Sequence, residues 1–391
     1  MKTDSSHTGL RTWIEIDESA FAHNYAALRG LLKPGTRFMA VVKSNAYGHS
    51  LHETAKIFEK LGADWIGVDS IVEAEALREA GIKKPLFVLG LTLPEKIAVA
   101  AEQNISLAVS TFEMLDAIDA TMNGAANASG EKAAAQKLKI HIKVDTGMHR
   151  QGFQEWEIEK VIERLKSLPA SVVVEGLFTH FGAAKNPSFR QATQKQLDRF
   201  ALWRKAFEAA GIKAIVHAAA SGGAMIFPES HFDLVRFGIA TYGLWPSAEA
   251  RAFMSDKISL KPVLSWKTCI GEVKQVKKGE RVGYDFTEEF SRDSKIAICP
   301  IGYWHGFPRA LSSIGRVLVH GREARILGRV SMDMMTIDLT DIPDVKVFDE
   351  VVIVGAQEGR EATIGRLADL SETSNYEFVT RINPLIKRII I

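Results

Sequence analysis

Residues 37 to 62 read RFMAVVKSNAYGHSLHETAKIFEKLG. The run from Phe38 to Val42 is apolar and short enough for a buried strand. It ends on Lys43, crosses a short polar turn holding Tyr47 and Gly48, and enters a helical pattern at Leu51. A strand that feeds a helix, repeated along the chain, predicts a parallel sheet. The repeats follow: WIGV, LFVL, LAVS, IHIKVD, GLFTHF, IVHAA and LVRFG, with helical stretches between them. In TQKQLDRFALWRKAFEAAG, Leu197, Phe200, Ala201 and Phe207 fall on one face of a 3.6-residue period, and Gly211 supplies the stop. Eight such units closing on themselves predict a (β/α)8 TIM barrel. An open doubly wound sheet is the alternative, but no Gly-x-Gly-x-x-Gly follows the first strand.

After about Pro246 the pattern changes. SWKTCIGEVKQV, KIAICPIGY, IGRVLVHG, ARILGRVSM, MMTIDL and VFDEVVIVG are strand-like runs without long helices between them. They predict a mainly β domain, with a short helical pattern at Ile364–Leu370 as the exception. The expected domains are therefore 12–246 and 247–391, with the early strand at 12–17 pairing with the second. GAANASGEKAAAQ, residues 124–136, reads as a loose loop.

The chain has 391 residues, 46% apolar and 25% charged, which suits two soluble globular domains. A formal charge of +2 with no basic block interleaved with aromatics argues against a nucleic-acid partner. The N-terminus is polar, and no run approaches the ~20 apolar residues of a membrane helix, so a cytoplasmic protein is expected. Cys269 and Cys299 lack metal or redox spacing and read as reduced thiols. His49 and His52 lie three apart, but no HExxH pattern or cysteine supports a metal site, and none is expected.

Side chains alternate along a strand, so parity predicts facing. His141, Lys143 and Asp145 share one face of their strand. Phe178 and His180 share another, as do His217, Ala219 and Ser221, and Leu234, Arg236 and Gly238. These polar sets should point into the barrel near the C-terminal mouth, where such barrels place chemistry. Several cations converge there with few carboxylates, so an anionic group should fill the gap. Ser221 follows strand seven and Gly238-Ile239 follow strand eight, the usual phosphate cradle of this fold. A lysine aimed into a mouth that holds a phosphate could form a Schiff base with pyridoxal phosphate. That gives the strand-end Lys43 a use; a strand-end lysine reaching solvent is the plain alternative.

AVVKSNAYGHS resembles the cofactor-attachment motif of alanine racemases. KVDTGMHRQGF, THF, LVRFGIATYG, GYWHGFPR, GRVSMDMMTIDL and NYEFVTRI resemble the family's later blocks, in order, over nearly the whole chain. The resemblance implies a barrel followed by a β domain, and a homodimer whose two active sites each borrow residues from the partner. It implies that Lys43 carries pyridoxal phosphate, that Tyr47, Ser221, Gly238, Ile239 and Tyr376 contact its phosphate, and that Arg236 donates to the pyridine nitrogen. An arginine keeps its proton, so the ring nitrogen stays unprotonated and is a weaker electron sink.

The resemblance further implies racemisation by two bases. Lys43 serves the D-enantiomer and Tyr284, from the other subunit, the L-enantiomer, with His180 linking that tyrosine to Arg236. Arg150 is expected at the substrate carboxylate. Met332, Asp333 and Tyr303, from the partner subunit, are expected at the substrate end of the site. Lys143 stands where many members carry a carbamylated lysine; an unmodified lysine beside Asp145 is the alternative. The implied role is supply of D-alanine for peptidoglycan, with a small amino acid as substrate.

This chain also departs from the family pattern. Trp304-His305 stand where an aspartate is common, Asp285 follows Tyr284 in place of glycine, Ala220 precedes Ser221 in place of asparagine, and Lys185 replaces an acidic position. These departures put exclusive alanine specificity in doubt and leave a broader racemase, serine included, open. A decarboxylase is disfavoured because it wants an acidic partner on the pyridine nitrogen. A non-catalytic cofactor carrier would leave the β domain without a use.

Overall fold

The computed structural model describes residues 7–128 and 137–391. The loop expected at 124–136 therefore lies outside the described residues from 129 onward. Before that the expectation fails, because residues 124–128 complete the helix Phe112–Ala128. The reason is local: Ala is the strongest helix former, and the alanines around Gly124 outweigh one glycine.

The first strand, β1 (Thr12–Ile16), precedes eight parallel ones: β2 (Arg37–Val41), β3 (Trp65–Val68), β4 (Leu86–Val88), β5 (Ile105–Val109), β6 (Leu138–Lys143), β7 (Val172–Phe178), β8 (Ile215–His217) and β9 (Leu234–Phe237). The eight lie in the order β8-β7-β6-β5-β4-β3-β2-β9. β9 pairs with β2, and a parallel bridge between Ala220 and Arg236 joins β9 to the end of β8, so the sheet closes into the TIM barrel. Most of these strands are apolar on both faces, because one face packs inside the barrel and the other under helices. The helix Arg190–Ala209 shows the pattern: Leu197, Phe200, Trp203 and Phe207 are buried, Ala201 lies at the margin, and Gly211 turns the chain at φ 71°. This unit takes in Ala22–Ala46 and Leu51–Lys261. It runs past Pro246 because the helix Ala248–Met254, N-capped by Ser247, packs on the helix Ser221–Ile226.

The other unit takes in residues up to Phe21, then Tyr47–Ser50 and Pro262–Ile391. It is mainly β, with strands β10 (Leu264–Cys269), β11 (Glu272–Val276), β12 (Arg281–Val282), β13 (Glu288–Glu289), β14 (Ser294–Cys299), β15 (Arg316–Val319), β16 (Arg322–Leu327), β17 (Met335–Asp338), β18 (Glu350–Gln357), β19 (Arg360–Ala362) and β20 (Arg388–Ile390). The main sheet orders them β11-β14-β17-β16-β15-β18-β10-β1-β20, with β19 on β18 and β12–β13 as a separate hairpin. β1 pairs antiparallel with β10 and parallel with β20. Besides the helix Ile364–Leu370 there is a second, Asn375–Thr380, capped by Ser374. Among the described residues no helix is long and apolar enough to cross a membrane.

Tyr47–Ser50 belong to this unit because of Arg388. Its Nε and Nη2 donate to the Gly48 carbonyl at 3.1 and 2.9 Å, and Nη1 donates to the carbonyls of Asn383 and Ile386. Burial lowers its pKa to about 10. Gly48 stands at φ 82°, and a Cβ there would lie 2.1 Å from the Val379 carbonyl oxygen. Both the backbone conformation and the space require glycine. Gly48→Ala is expected to lower the unfolding free energy by about 1–3 kcal/mol, the usual range for overpacking; urea denaturation of the two proteins measures it.

Candidate active site

Lys43 leaves β2 on an unusual turn. Ser44, Asn45, Ala46 and Tyr47 all take left-handed backbone angles, with φ between 52° and 56°. Each such non-glycine residue costs roughly 1–2 kcal/mol. One carboxylate offsets part of this. Glu73 Oε1 accepts from the backbone N–H of Ser44 at 2.6 Å and more weakly from Asn45, while Oε2 accepts from Asp69 N–H at 2.8 Å. Glu73 is also the third residue of the helix capped by Ser70, in a capping box. It thus ties the turn after β2 to the turn after β3. Asn45 Oδ1 then caps the next helix through Leu51 N–H at 2.9 Å.

The Lys43 ammonium donates to Asp69 Oδ1 at 2.9 Å. Reading the strands alone leaves this partner out, because Asp69 belongs to the loop after β3. Lys143, the last residue of β6, is buried and donates to Gln151 Oε1 at 2.7 Å. Asp145 is not its partner. Oδ1 of Asp145 accepts from the N–H groups of Gly147, Met148 and His149 and shapes the loop that carries Arg150. Those bonds, with the charge of His149, outweigh burial and hold the Asp145 pKa down. Burial first, then the charges of Arg150, Arg236 and Lys43, lower the Lys143 pKa to about 8. Cations do crowd this mouth.

Arg236, on β9, is buried and anchored. Nη1 donates to His217 Nδ1 at 2.8 Å, and Nη2 donates to the carbonyls of Thr179 and Ala218, both at 2.8 Å. Nη2 also meets His180 Nδ1 at 3.3 Å. Burial and Arg150 lower the Arg236 pKa to about 9, still a cation at neutral pH. Burial, then Arg236 and the other cations, lower His180 to about 3, so its imidazole is neutral. Ser221 opens a short helix whose first i→i−4 bond is Ala224 N–H to the Ala220 carbonyl, leaving the Ser-Gly-Gly N–H groups ahead of it. The Ser221 hydroxyl accepts from Gly238 N–H at 3.0 Å. Gly238 and Ile239 therefore meet Ser221 at one spot, a cradle of small residues and N–H groups suited to a phosphate.

In the other unit Tyr47 and Tyr376 lie with ring centroids 6.2 Å apart. Burial, then Tyr47, raises the Tyr376 pKa, so its phenol stays a neutral donor. Tyr303 N–H bonds the Ser331 carbonyl and Trp304 N–H the Met332 carbonyl, both at 3.0 Å, which brings Tyr303, Met332 and Asp333 together. A Cβ on Gly302 would sit 2.1 Å from the Ser331 oxygen, so this join needs the glycine. Tyr284 is 68% exposed on a turn that Asp285 pins to Arg329 at 2.9 Å. Asp285, at φ 60°, thus occupies a glycine-like conformation and uses its carboxylate to hold it. His305 is buried and accepts from Gly302 N–H, and Trp304 meets it edge-on. Of the two histidines weighed for metal, His49 packs against Phe21 with Nδ1 2.9 Å from the Tyr47 carbonyl, and His52 is exposed.

Residues 16–246 match the family model for the N-terminal domain of alanine racemase, and residues 263–390 match that for its C-terminal domain. The chain is 39% identical to the alanine racemase of Symbiobacterium thermophilum over 382 residues, covering 97% of each. Its fold is similar to that of the alanine racemase of Clostridium difficile 630, with a TM-score of 0.89 at 31% identity, covering 98% of this chain and 96% of the other. It is similar too to a histidine racemase from Leuconostoc mesenteroides, with a TM-score of 0.87 at 30% identity, covering 98% and 99%. Two family models spanning both units, and a relative matched almost end to end, agree with the motifs and their places in the fold: this chain belongs to the alanine racemase family.

Proposed function

We propose that this chain interconverts L- and D-alanine, with pyridoxal phosphate bound at the C-terminal mouth of the barrel. The observation that carries the reading is Arg236: a buried cation beside a neutral His180, with a small-residue phosphate cradle at Ser221, Gly238 and Ile239. The residues fit the cofactor. Lys43 would hold it covalently, Ser221, Gly238, Ile239, Tyr47 and Tyr376 would take its phosphate, and Arg236 would face its ring nitrogen. When bound, the cofactor supplies an electron sink that makes the amino acid's α-hydrogen acidic.

The chain's own groups do the rest. Arg150 would hold the substrate carboxylate. The Lys43 amine would exchange a proton on one face of the α-carbon, and Tyr284 of the partner subunit on the other. His180, neutral, can pass hydrogen-bond polarity from Arg236 toward that phenol. A guanidinium gives up its proton poorly, so Arg236 would leave the ring nitrogen unprotonated, which would disfavour decarboxylation. Tyr303, Met332 and Asp333 of the partner subunit would bound the substrate end. Homodimerisation completes the proposal: Tyr284, Phe286, Tyr303, Trp304, Met332 and Met334 are all exposed on the C-terminal unit, an apolar set suited to a partner. Family analogy adds supply of D-alanine for peptidoglycan. The free thiols Cys269 and Cys299 suit a reducing cytoplasm.

Lys143 is proposed as a carbamylation site. An amine titrating near 8 is partly free at neutral pH; it adds CO2, forms an N–C bond and releases a proton, leaving an anion near Arg150. The likeness to a histidine racemase and the Trp304-His305 departure favour a second reading, a broader substrate range.

A chiral assay of cofactor-loaded protein against a panel of L-amino acids is expected to show D-alanine as the main product; untouched alanine overturns the reading. Tyr284→Phe should lower L-to-D turnover by roughly 10²–10⁴-fold, the span of a positioned acid–base group. Lys43→Ala and Tyr284→Phe chains, inactive apart, should together recover up to about a quarter of wild-type activity after subunit exchange, since half the dimers are hybrid with one intact site each. In ¹³C-bicarbonate a carbamate resonance should appear and be lost in Lys143→Ala. In bicarbonate-free buffer Lys143 binds its proton more weakly folded, at about 8, than unfolded, at 10.5. Between those values the unfolded chain holds a proton that the folded one has released, so stability rises with pH there. Thermal melts should show that rise in wild type relative to Lys143→Met.

A further inference from the structure

Arg236 is the end of a longer buried chain. Arginine only donates, so His217 Nδ1, 2.8 Å from Nη1, is an acceptor. Both His217 and His141 are fully buried. Phe178 stacks on His217 with centroids 4.8 Å apart, and Phe87 lies 4.3 Å from His141. Burial pushes both imidazoles' pKa values down, so each is neutral with one N–H and one lone pair. His217 therefore carries its proton on Nε2 and donates to His141 Nδ1 at 2.9 Å. His141 in turn carries its proton on Nε2 and donates to Glu175 Oε2 at 3.2 Å. The far end agrees. The Ser106 hydroxyl also donates to Glu175 Oε2, and the Lys139 ammonium lies 3.6 Å from Oε1. Burial, which alone would raise the Glu175 pKa, is outweighed by these donors, and the group is an ionised acceptor.

The backbone is shaped for this chain. Pairing of β6 with β7 slips between Ile140 and His141: Ile140 faces Val174 and His141 faces Gly176, so Glu175 is the extra residue. Strict alternation would turn Glu175 away from the interior face that Phe178 and Gly176 share; the slip turns it in. A Cβ on Gly176 would lie 2.0 Å from His141 Nδ1, so the glycine vacates the space that the imidazole fills.

We propose that Glu175 is a positioning residue for Arg236: an ionised acceptor at one end of a relay, Arg236→His217→His141→Glu175, that sets both tautomers and presents a lone pair to the guanidinium. The functional part rests on the reading that Arg236 faces the cofactor's ring nitrogen. Were His141 to lose its acceptor, both imidazoles could flip, and His217 would aim an N–H at the N–H of Arg236.

The test is ¹⁵N-histidine NMR of the cofactor-loaded protein, joined to kinetics. Wild-type His141 and His217 are expected as neutral Nε2–H tautomers from about pH 6 to about pH 9. Either one as an imidazolium or an Nδ1–H form overturns the relay with no variant involved. Both bonds that matter go to Oε2, so Glu175→Gln, with its amide oxygen there, should keep the tautomers and most of the turnover. Glu175→Leu should show both tautomers in exchange and lose kcat roughly ten-fold with KM for alanine little changed, the scale on which a partner behind a functional group acts. Glu175→Leu with wild-type tautomers and kcat overturns the proposal, as does Glu175→Gln behaving like Glu175→Leu. Tautomers are read without turnover, so protein that leaves alanine untouched would sink the activity reading alone.

Discussion

Like charges at the mouth of one barrel are the constraint on which this protein is built. Burial lowers the pKa values of Lys143 and Arg236, and Lys43, Lys143, Arg150 and Arg236 approach closely enough that their charges lower them further. The fold spends hydrogen bonds to hold them: Asp69 on Lys43, Gln151 on Lys143, two carbonyls and a histidine on Arg236. A cation cluster so held is poised for anions. The proposed phosphate and carboxylate ligands are what such a mouth would bind, and burial first, then the same field, keeps His180 neutral.

The second constraint is backbone strain at the residue that matters most. Four left-handed residues directly after Lys43 would be costly in isolation. Glu73 accepts from two of their N–H groups while capping the neighbouring helix, so the strain is held by a residue whose own position is already determined. Strain of this kind persists only where surrounding structure over-determines it. It gives the lysine one direction in which to leave its strand. Asp285 does similar work beside Tyr284, trading the freedom of a glycine for an ion pair with Arg329.

The residues that a reading of single strands misses share a cause. Asp69 and Glu73 lie in a loop and a helix and act on the turn after β2, and Gln151 reaches Lys143 from the loop that follows it, so no strand or helix period marks them. Glu175 left a visible trace, a carboxylate next to a glycine inside the apolar run VVVEGLF, where an unpaired charge would be expensive. The run read as a strand began one residue later, at Gly176. The second C-terminal helix, Asn375–Thr380, is six residues long and too short for periodicity to show.

By itself the sequence determined the alternation of strand and helix, the change to β after the barrel, and the membership of Lys43, Arg150 and Arg236 in recognisable blocks. These are properties of local period and residue type, which survive without coordinates. Only the tertiary structure decided which groups meet: that Asp145 shapes a loop and leaves Lys143 to Gln151, that Lys43 pairs with Asp69, and that a slipped strand pair carries Arg236 through two neutral histidines to Glu175. Direction in a hydrogen-bond chain depends on what stands at both ends. In this protein those ends are 61 residues apart in sequence, from Glu175 to Arg236, and are joined only by the closure of the barrel.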